Sequence, residues 1–385
     1  MTSESLDPAS GDPAGLPGPV LVRGTGLLGT SIGLALRTAG REVLLHDPSP
    51  SALAVARDIG AGVPVALGPA EVADAGLAPG LVVVSCPPDV TADVVTDSLR
   101  RWPDALVLDV ASVKTAVAAQ LRRRQDAGEL SATDVSRYVG THPMAGRERS
   151  GPVAARGTLF LAAPWVVCAE ESTHPDAVAA ARGLAEACGA TVRLMPAAEH
   201  DDAVALVSHL PQVAASLVAA RMQGASATSL ELAGNGLRDT TRIAASDPQL
   251  WTQILSSNAA AVLETLHAVR QDLDRLIVTL EDPDAEGARW GMARLIAEGN
   301  AGHARIPGKH GAPPQAFCVV TVVVDDTPGQ LAGVLADVGE AGVNVEDLRM
   351  DHASGHEVGM LEISVLPARR DELAEALTRR GWKVV

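Results

Sequence analysis

The stretch that decides the fold is VLVRGTGLLGTSIG, residues 20–33. An apolar run leads into three glycines spaced G-x-G-x-x-G, and a helical pattern follows. In this motif the first glycine permits a tight turn, the second lets a phosphate approach the backbone, and the third lets the helix pack on the strand. The free N–H groups at the helix N-terminus attract phosphate. The predicted dinucleotide contacts are Gly24, Thr25, Gly26, Leu27, Leu28 and Gly29.

Asp47 ends the next apolar run, about 20 residues further on, where such folds place an acid. Its carboxylate can accept hydrogen bonds from ribose hydroxyls and would repel a 2′-phosphate, so the sequence predicts NAD rather than NADP. Arg57 leaves some NADP use open. Cys86 and Pro87, which follow the apolar run 81–85, are included in the predicted NAD site. The alternative is a glycine turn that binds no nucleotide.

Composition and charge limit the partners. The chain has 385 residues, enough for roughly two to three domains. Its net charge of −16 argues against a nucleic acid or an anionic membrane surface, so an anionic substrate would need a local arginine cluster. The four cysteines form no CxxC or metal-binding pattern, which predicts free thiols, no metal and a cytoplasmic location. We expect no membrane helix, because no apolar run reaches the required length.

Alternating strand and helix patterns predict an α/β fold that begins with a Rossmann-like parallel sheet covered by helices on both faces. Long helical runs then replace the strands, and a small βαββαβ unit ends the chain. The predicted divisions are a disordered leader (1–18), an NAD-binding domain (19–195), a helical substrate and dimerisation domain (196–298), a Gly/Pro-rich linker (299–315) and the βαββαβ domain (316–385). An apolar stripe at 266–280 suits packing against another helix, in the same chain or a second subunit.

The segment THPMAGRERSG, residues 141–151, places His142 before a proline and then carries small and basic residues. Proline favours an extended conformation for the residue before it, and the glycines predict a loop. A histidine in a loop is often a surface or structural residue, so its partners decide its role.

Four motifs in this order resemble the prephenate dehydrogenase family: GTGLLGTSIG (24–33), DVASVK (109–114), THPMAG (141–146) and RDTTRIAASDPQLW (238–251). The resemblance runs through residues 20–280. It implies oxidative decarboxylation of prephenate to 4-hydroxyphenylpyruvate with NAD, in tyrosine biosynthesis. Within the same class, arogenate or another aminated analogue of prephenate is an alternative substrate. A non-enzymatic metabolite sensor is the alternative of a different class.

The resemblance implies that His142 and Ser112 are catalytic. A neutral imidazole suits acceptance of the substrate's hydroxyl proton near neutral pH. Ser112 could bond both the substrate hydroxyl and His142, or serve as a helix N-cap. Lys114 could be a solvated charge in the first turn of that helix, and no catalytic role is predicted for it.

The substrate-binding residues implied by the resemblance are Arg242, Arg238, Gln212, Ser208, His209 and Trp251. Arginine offers a planar, bidentate grip on the two carboxylates of prephenate. Arg238 could instead pair with Asp239 or Asp247, and its position and that of Trp251 can reach across a homodimer interface in the family. His209 could equally be a satisfied core histidine. Many prephenate-using relatives carry a histidine where this chain has Gln212.

The last domain resembles an ACT domain through DTPGQL (326–331) and VNV (343–345). This resemblance implies amino-acid control, by tyrosine or phenylalanine, through Asp326, Pro328, Gly329 and Asn344. The alternative is an assembly module that binds no ligand.

Overall fold

A computed structural model describes residues 15–68, 76–146, 149–307, 316–352 and 358–385. The chain divides into two compact units, Met1–Val269 and Arg270–Val385. Most of the predicted leader lies outside the described residues. Its last residues are placed, however, and Leu16 is buried in the core, so the expectation of a leader extending to residue 18 is wrong.

The first unit contains an eight-stranded sheet in the order β3-β2-β1-β4-β5-β6-β7-β8. Its strands are β1 (Val20–Arg23), β2 (Val43–His46), β3 (Val63–Pro64), β4 (Leu81–Val84), β5 (Leu106–Asp109), β6 (Tyr138–Pro143), β7 (Pro164–Cys168) and β8 (Thr191–Leu194). Its helices are α1 (Leu27–Thr38), α2 (Pro50–Asp58), α3 (Pro88–Arg101), α4 (Thr115–Asp126), α5 (Ala132–Ser136) and α6 (Pro175–Ala187). The predicted Rossmann-like α/β fold is confirmed.

The sheet is mixed rather than wholly parallel, because β7 runs antiparallel to β6. The described residues between these strands, 144–146 and 149–163, form no long helix, so the chain returns in the opposite direction. The pairing extends β6 through His142, which lies opposite Val166. The predicted loop therefore begins only after Pro143.

The glycine motif folds as its spacing predicts. Gly24 has φ +104°, and a Cβ there would lie 2.2 Å from the Ser85 carbonyl oxygen. A Cβ on Gly29 would lie 2.0 Å from the Gly24 carbonyl oxygen. A Cβ on Gly26 would meet no atom within 4 Å. The first and third glycines are thus required by the fold itself, whereas the second is required only if something else approaches the loop.

Buried side chains form one apolar cluster on each face of the sheet, built mainly from alanine, valine and leucine. One cluster lies under α1 and α6, where Phe160 and Trp165 supply its two large aromatic rings. The other lies under α3 and α4. These clusters hold the carboxyl ends of β1, β4, β5 and β6 at one edge of the sheet.

The helical region contains α7 (Ala197–Val204), α8 (Leu210–Arg221), α9 (Ala227–Glu231), α10 (Asn235–Thr241), α11 (Pro248–Ser257), α12 (Ala259–Glu281) and α13 (Ala288–His303). A π-helical turn, Ala205–His209, joins α7 to α8 just before Pro211. This widened turn accommodates the proline, which lacks an N–H for the helix. Residues 299–303, assigned to the linker from composition, form the last turn of α13, and residues 308–315 lie outside the described residues.

The helical run Ala197–Gly224 is long and apolar enough to cross a membrane, judged by length and composition alone. The expectation that no such run exists is therefore wrong. The same run carries buried His200, Asp201 and His209, whose side chains bond to other parts of the first unit.

The chain ends in the predicted βαββαβ order: β9 (Cys318–Asp325), α14 (Gln330–Glu340), β10 (Asp347–His352), β11 (Val358–Val365), α15 (Arg370–Arg379) and β12 (Lys383–Val384). The sheet order is β10-β11-β9-β12, and apolar residues of the two helices and the strands form a separate core.

Two glycine substitutions test this account of the motif. Gly29→Ala should lower the free energy of unfolding by about 1–3 kcal/mol, because its Cβ overpacks the turn. Gly26→Ala should cost less than about 1 kcal/mol, because it adds a methyl group at an open helix N-cap. Thermal and urea unfolding of the two variants measure the difference. Equal destabilisation would contradict the separate roles assigned to the two glycines.

Candidate active site

The nucleotide end of the site is formed by the glycine loop and Asp47. The Asp47 carboxylate accepts hydrogen bonds from the Thr25 N–H at 2.6 Å, from the Thr25 hydroxyl at 3.0 Å and from the Ser49 N–H at 2.7 Å. It is only partly buried, so a ribose could still reach it. α1 has no side-chain cap at Gly26, which leaves its first-turn N–H groups for an anion. The open space beside Gly26 and this acid fit a dinucleotide.

The other predicted nucleotide contacts lie at the same edge of the sheet. Cys86 follows β4, and its thiol donates to the Arg23 carbonyl oxygen at 3.3 Å. Burial raises the pKa of this thiol to about 11, so it remains protonated. Pro87 is the N-cap of α3. Arg57 forms an exposed ion pair with Asp58.

A chain of three side chains begins at His142, near the carboxyl end of β6. His142 Nδ1 is 2.8 Å from His200 Nε2, and His200 Nδ1 is 2.8 Å from Asp201 Oδ1. His200 and Asp201 are buried in α7, whereas His142 is half-buried. The motif histidine therefore has a second histidine and a carboxylate behind it.

Asp201 is fixed by α4 as well as by His200. Its two carboxylate oxygens accept the backbone N–H groups of Lys114 at 2.9 Å and Thr115 at 2.8 Å, which caps the N-terminus of α4. Burial raises the pKa of Asp201, but the hydrogen bonds from His200, Lys114 and Thr115 outweigh burial and hold the pKa below its ordinary value. Asp201 is therefore ionised at neutral pH.

An ionised carboxylate only accepts hydrogen bonds, which sets the direction of the whole chain. His200 must carry its proton on Nδ1, so its Nε2 accepts. His142 must then donate from Nδ1, which leaves the lone pair of His142 on Nε2. The geometry makes Nε2 of His142 the basic atom of the site.

The pKa of His142 lies well below its ordinary value. Burial is the main cause, and the neighbouring His200, Lys114 and His209 add to it, whereas Asp201 opposes it. His142 therefore stays neutral at pH values below its usual titration range.

Lys114 is buried, so the prediction that it is a solvated charge is wrong. Its ammonium pairs with the Asp109 carboxylate and donates to the Thr141 carbonyl oxygen at 2.7 Å. The Tyr138 hydroxyl donates to the same carboxylate at 2.6 Å. Because Thr141 precedes His142, this buried network holds the strand that carries the basic histidine.

Ser112 lies half-buried between β5 and α4. The expected hydrogen bond to His142 is absent among the described residues, where the ring partner is His200. Ser112 is also not the N-cap of α4, because that position is Lys114. Within the described chain the Ser112 hydroxyl forms no hydrogen bond, so it is available to a ligand.

His209 is buried in the π-helical turn. Its Nδ1 is 3.2 Å from the Asn258 side-chain nitrogen. The Trp251 ring packs edge-on against it within the same chain, with ring centroids 6.0 Å apart. Burial lowers the pKa of His209, Asp201 opposes burial and His200 adds to it. The same Asn258 nitrogen lies 2.8 Å from the Asp201 carbonyl oxygen, so His209 lies beside the histidine chain.

The remaining predicted substrate residues lie on or against α8. Gln212 is buried, donates to the Ser216 hydroxyl at 3.4 Å and accepts from the Ser246 hydroxyl at 3.4 Å. α10 and the turn after it pack on α8 and carry Arg238 and Arg242, both exposed. Arg238 has no ion pair with any described residue, and Asp247 instead caps α11. Ser208 is half-buried in the π-helical turn.

Sequence reasoning missed His200, Asp201 and the buried role of Lys114. The adjacent His-Asp pair in the first turns of a predicted helix was a weak signal, because such pairs are common on helix surfaces. Only the packing of α7 against α4 and β6 gives them partners. Among the described residues, no group of histidine, cysteine and acidic side chains could hold a metal ion.

The predicted regulatory residues do not come together within one chain. Asp326, Pro328 and Gly329 follow the last residue of β9, and Gly329 has φ +95° at the N-cap of α14. Asn344 precedes β10, whose first residue pairs through β11 with the opposite end of β9. The two groups therefore lie at opposite ends of this sheet, and Asn344 donates to Glu346 at 2.7 Å.

Comparisons with known proteins identify the family of the chain. Residues 32–194 match the model for the prephenate dehydrogenase nucleotide-binding domain, and residues 196–295 match that for the prephenate dehydrogenase dimerization domain. The probable prephenate dehydrogenase NovF of Streptomyces niveus is 37% identical over 94% of this chain and 98% of its own length.

Among the solved structures similar to this chain are two that each cover about three quarters of it. Prephenate dehydrogenase from Aquifex aeolicus, in complex with hydroxyphenyl propionate and NAD+, has a TM-score of 0.62 and 25% identity, covering 74% of this chain and 98% of that one. Synechocystis arogenate dehydrogenase has a TM-score of 0.59 and 27% identity over the same shares. With a curated relative this similar along nearly its whole length, and with both domain models matched, the chain belongs to the prephenate dehydrogenase family.

Proposed function

We propose that this chain catalyses the NAD-dependent oxidative decarboxylation of prephenate to 4-hydroxyphenylpyruvate. The observation that carries the proposal is the chain from His142 through His200 to Asp201, which leaves a basic nitrogen at the sheet edge that also carries the glycine loop. A sensor without catalysis would have no need of a neutral base held in one tautomer.

NAD is the cofactor. The open approach at Gly26, the uncapped N-terminus of α1 and the partly accessible Asp47 would hold its pyrophosphate and ribose. When bound, NAD supplies the acceptor for the hydride that leaves the substrate ring. The negative charge of Asp47 supports NAD over NADP.

His142 acts on the proton of the ring hydroxyl. As hydride departs from the ring carbon that carries the hydroxyl, Nε2 of His142 accepts the hydroxyl proton and a carbonyl group forms. The resulting imidazolium is stabilised through His200 by Asp201, as an orienting carboxylate does in other histidine bases. Loss of carbon dioxide then sends an electron pair into the ring, and His142 can return the proton to the phenolate oxygen. Ser112 would hydrogen-bond the same hydroxyl.

Arg242 and Arg238 are assigned to the substrate carboxylates, since their exposed guanidinium groups offer bidentate donors on an otherwise acidic protein. Their neighbours on α8 and the π-helical turn, Gln212, Ser208 and His209, supply neutral polar groups. Trp251 would form an apolar wall through its contact with His209.

Prephenate is proposed over arogenate because of Gln212. The substrates differ at the side chain, where prephenate has a keto group and arogenate an ammonium. A glutamine amide can donate to the keto oxygen or accept from the ammonium, but it lacks the charge that would select a cation. The two arginines favour the substrate with the greater negative charge.

We propose that the chain works as a homodimer in a reducing cytoplasm. The π-helical turn exposes Leu206 and Val207, and α8 exposes Leu217. A second copy of the chain would cover these apolar side chains. The match to a dimerization domain supports this proposal. Four free cysteines support the compartment.

The C-terminal unit is proposed to be an ACT-like regulatory domain that responds to tyrosine or phenylalanine. Its βαββαβ order and the exposed turn at Gly329, beside an uncapped helix N-terminus, support this proposal. The two solved relatives are matched over nearly their whole length by only 74% of this chain, which is consistent with a regulatory addition to a complete catalytic module.

His142→Asn should lower kcat by about 10²–10⁴-fold and leave NAD affinity nearly unchanged, because only the proton transfer is lost. NADH formation with prephenate gives kcat, and titration of the free enzyme with NAD gives the affinity. His174→Asn is the matched control: His174 is an exposed N-cap of α6, and asparagine is also a good cap. Near-normal turnover in His142→Asn would refute the catalytic assignment.

Gln212→Asp should shift the ratio of kcat/KM values toward arogenate, by on the order of 1–3 kcal/mol, because a buried carboxylate pairs with the ammonium. Rates with both substrates give this ratio. Gln223→Asp adds the same charge at an exposed position just after α8 and should leave the ratio unchanged. A wild-type preference for arogenate, or an unshifted ratio in Gln212→Asp, would contradict the account.

Deletion of residues 312–385 should preserve turnover and abolish any inhibition by tyrosine or phenylalanine. Gly329→Ala should weaken the response without changing kcat, because φ +95° strains an L residue. Gly339→Ala, within α14 and facing open space, is the control. Full inhibition of the truncated enzyme by tyrosine would show that the inhibitor competes at the catalytic site instead.

A further inference from the structure

Asn258 stands at the junction between α11 and α12, and its side chain is buried. Its backbone carbonyl accepts from the Val262 N–H at 3.1 Å, so it is the N-cap of α12. An asparagine at this position ordinarily uses its side-chain oxygen to cap a first-turn N–H. Within the described chain, no such cap bond is formed. The side chain of Asn258 serves something other than its own helix.

The side-chain nitrogen of Asn258 instead bonds to the active-site helices. It lies 2.8 Å from the Asp201 carbonyl oxygen and 3.2 Å from His209 Nδ1. A carbonyl oxygen only accepts hydrogen bonds, so the amide nitrogen, not the amide oxygen, faces both groups. An amide nitrogen only donates. His209 Nδ1 must therefore accept, and the proton of the neutral ring lies on Nε2.

The electrostatic surroundings keep this ring neutral. The titratable groups that act on His209 are Asp201, His200 and His142, and the Trp251 ring packs against it. Burial and His200 lower the pKa of His209, while Asp201 opposes them. A neutral ring with an unprotonated Nδ1 has a single donor, the Nε2–H.

We propose that Asn258 is a positioning residue that fixes His209 as the Nε2–H tautomer, so that His209 offers a hydrogen-bond donor to the anionic substrate. The assignment of His209 to the substrate rests on the proposed function. Asn258 thus does for His209 what Asp201 does for His200, with the opposite outcome. An acceptor puts the proton of His200 on Nδ1, and a donor keeps that of His209 on Nε2.

Asn258→Asp tests this by replacing the donor with an acceptor. The carboxylate should draw the proton to Nδ1 of His209 and raise the pKa of the ring. Near neutral pH, Nε2 would then face the substrate with a lone pair, and KM for prephenate should rise about tenfold or more. Below the raised pKa, the ring carries both protons and donates again. KM should therefore fall back toward the wild-type value as pH decreases.

The tautomer is read directly from ¹⁵N NMR of imidazole-labelled holoenzyme, with the His209 signals assigned by their loss in His209→Asn. We expect an unprotonated Nδ1 in the wild type and a protonated Nδ1 in Asn258→Asp. Ala259→Asp places the same charge on the next, exposed residue and should leave both the tautomer and the pH dependence of KM unchanged. A protonated Nδ1 in the wild type, or a pH-independent KM in Asn258→Asp, would overturn the proposal.

If Asn258→Asp does not fold, as judged by circular dichroism, Asn258→Ala replaces it. This variant removes the donor without adding a charge, so NMR should show both tautomers, and a pure Nε2–H ring would overturn the proposal. The NMR arm needs no turnover. If the wild type fails to oxidise prephenate, the proposed function fails while the tautomer assignment is still tested, with binding of hydroxyphenyl propionate replacing KM.

Discussion

The carboxylate of Asp201 is the group on which the rest of the site depends. It caps α4 through two backbone N–H groups and accepts from His200, so one buried side chain joins the helical region to the sheet domain. Those hydrogen bonds keep it ionised despite burial. Because an ionised carboxylate can only accept, the protonation of His200 and then of His142 follows from it without further adjustment. The same carboxylate therefore holds α7 against α4 and sets the positions of the protons on the two histidines.

A second buried charge fixes the residue that precedes His142. Lys114 donates to the carbonyl oxygen of Thr141 and pairs with Asp109, which in turn accepts from Tyr138. A buried ion pair of this kind contributes little net stability, but removal of one partner would leave a costly unpaired charge. Its effect here is positional, since it holds the end of β6 while contributing to the low pKa of His142. The network that keeps His142 in place thus adds to the effect of burial, which is the main cause of its low pKa.

The glycine loop and the histidine chain lie at the same edge of the sheet. The loop is shaped by close backbone contacts at Gly24 and Gly29 and leaves Gly26 open. Apolar clusters of small aliphatic side chains on both faces keep β1, β4, β5 and β6 aligned, so their carboxyl ends converge although they come from distant parts of the sequence. The helical region reaches this edge through His200, which bonds to His142, and through Asp201, which bonds to the N-terminus of α4.

The sequence alone determined the nucleotide fold, the βαββαβ unit and the choice of His142, because each depends on residues that are close together in the chain. The signals are glycines at a strand-helix turn, alternating apolar runs and the motif around His142. It did not determine the antiparallel β7, the strand conformation of His142 or the buried state of Lys114. Nor did it reveal His200, Asp201 and Asn258, which lie 58, 59 and 116 residues beyond His142. Hydrogen-bond direction depends on which donor meets which acceptor. Those atoms come within reach only because α7 packs against α4 and β6, and because Asn258 lies against Asp201 and His209.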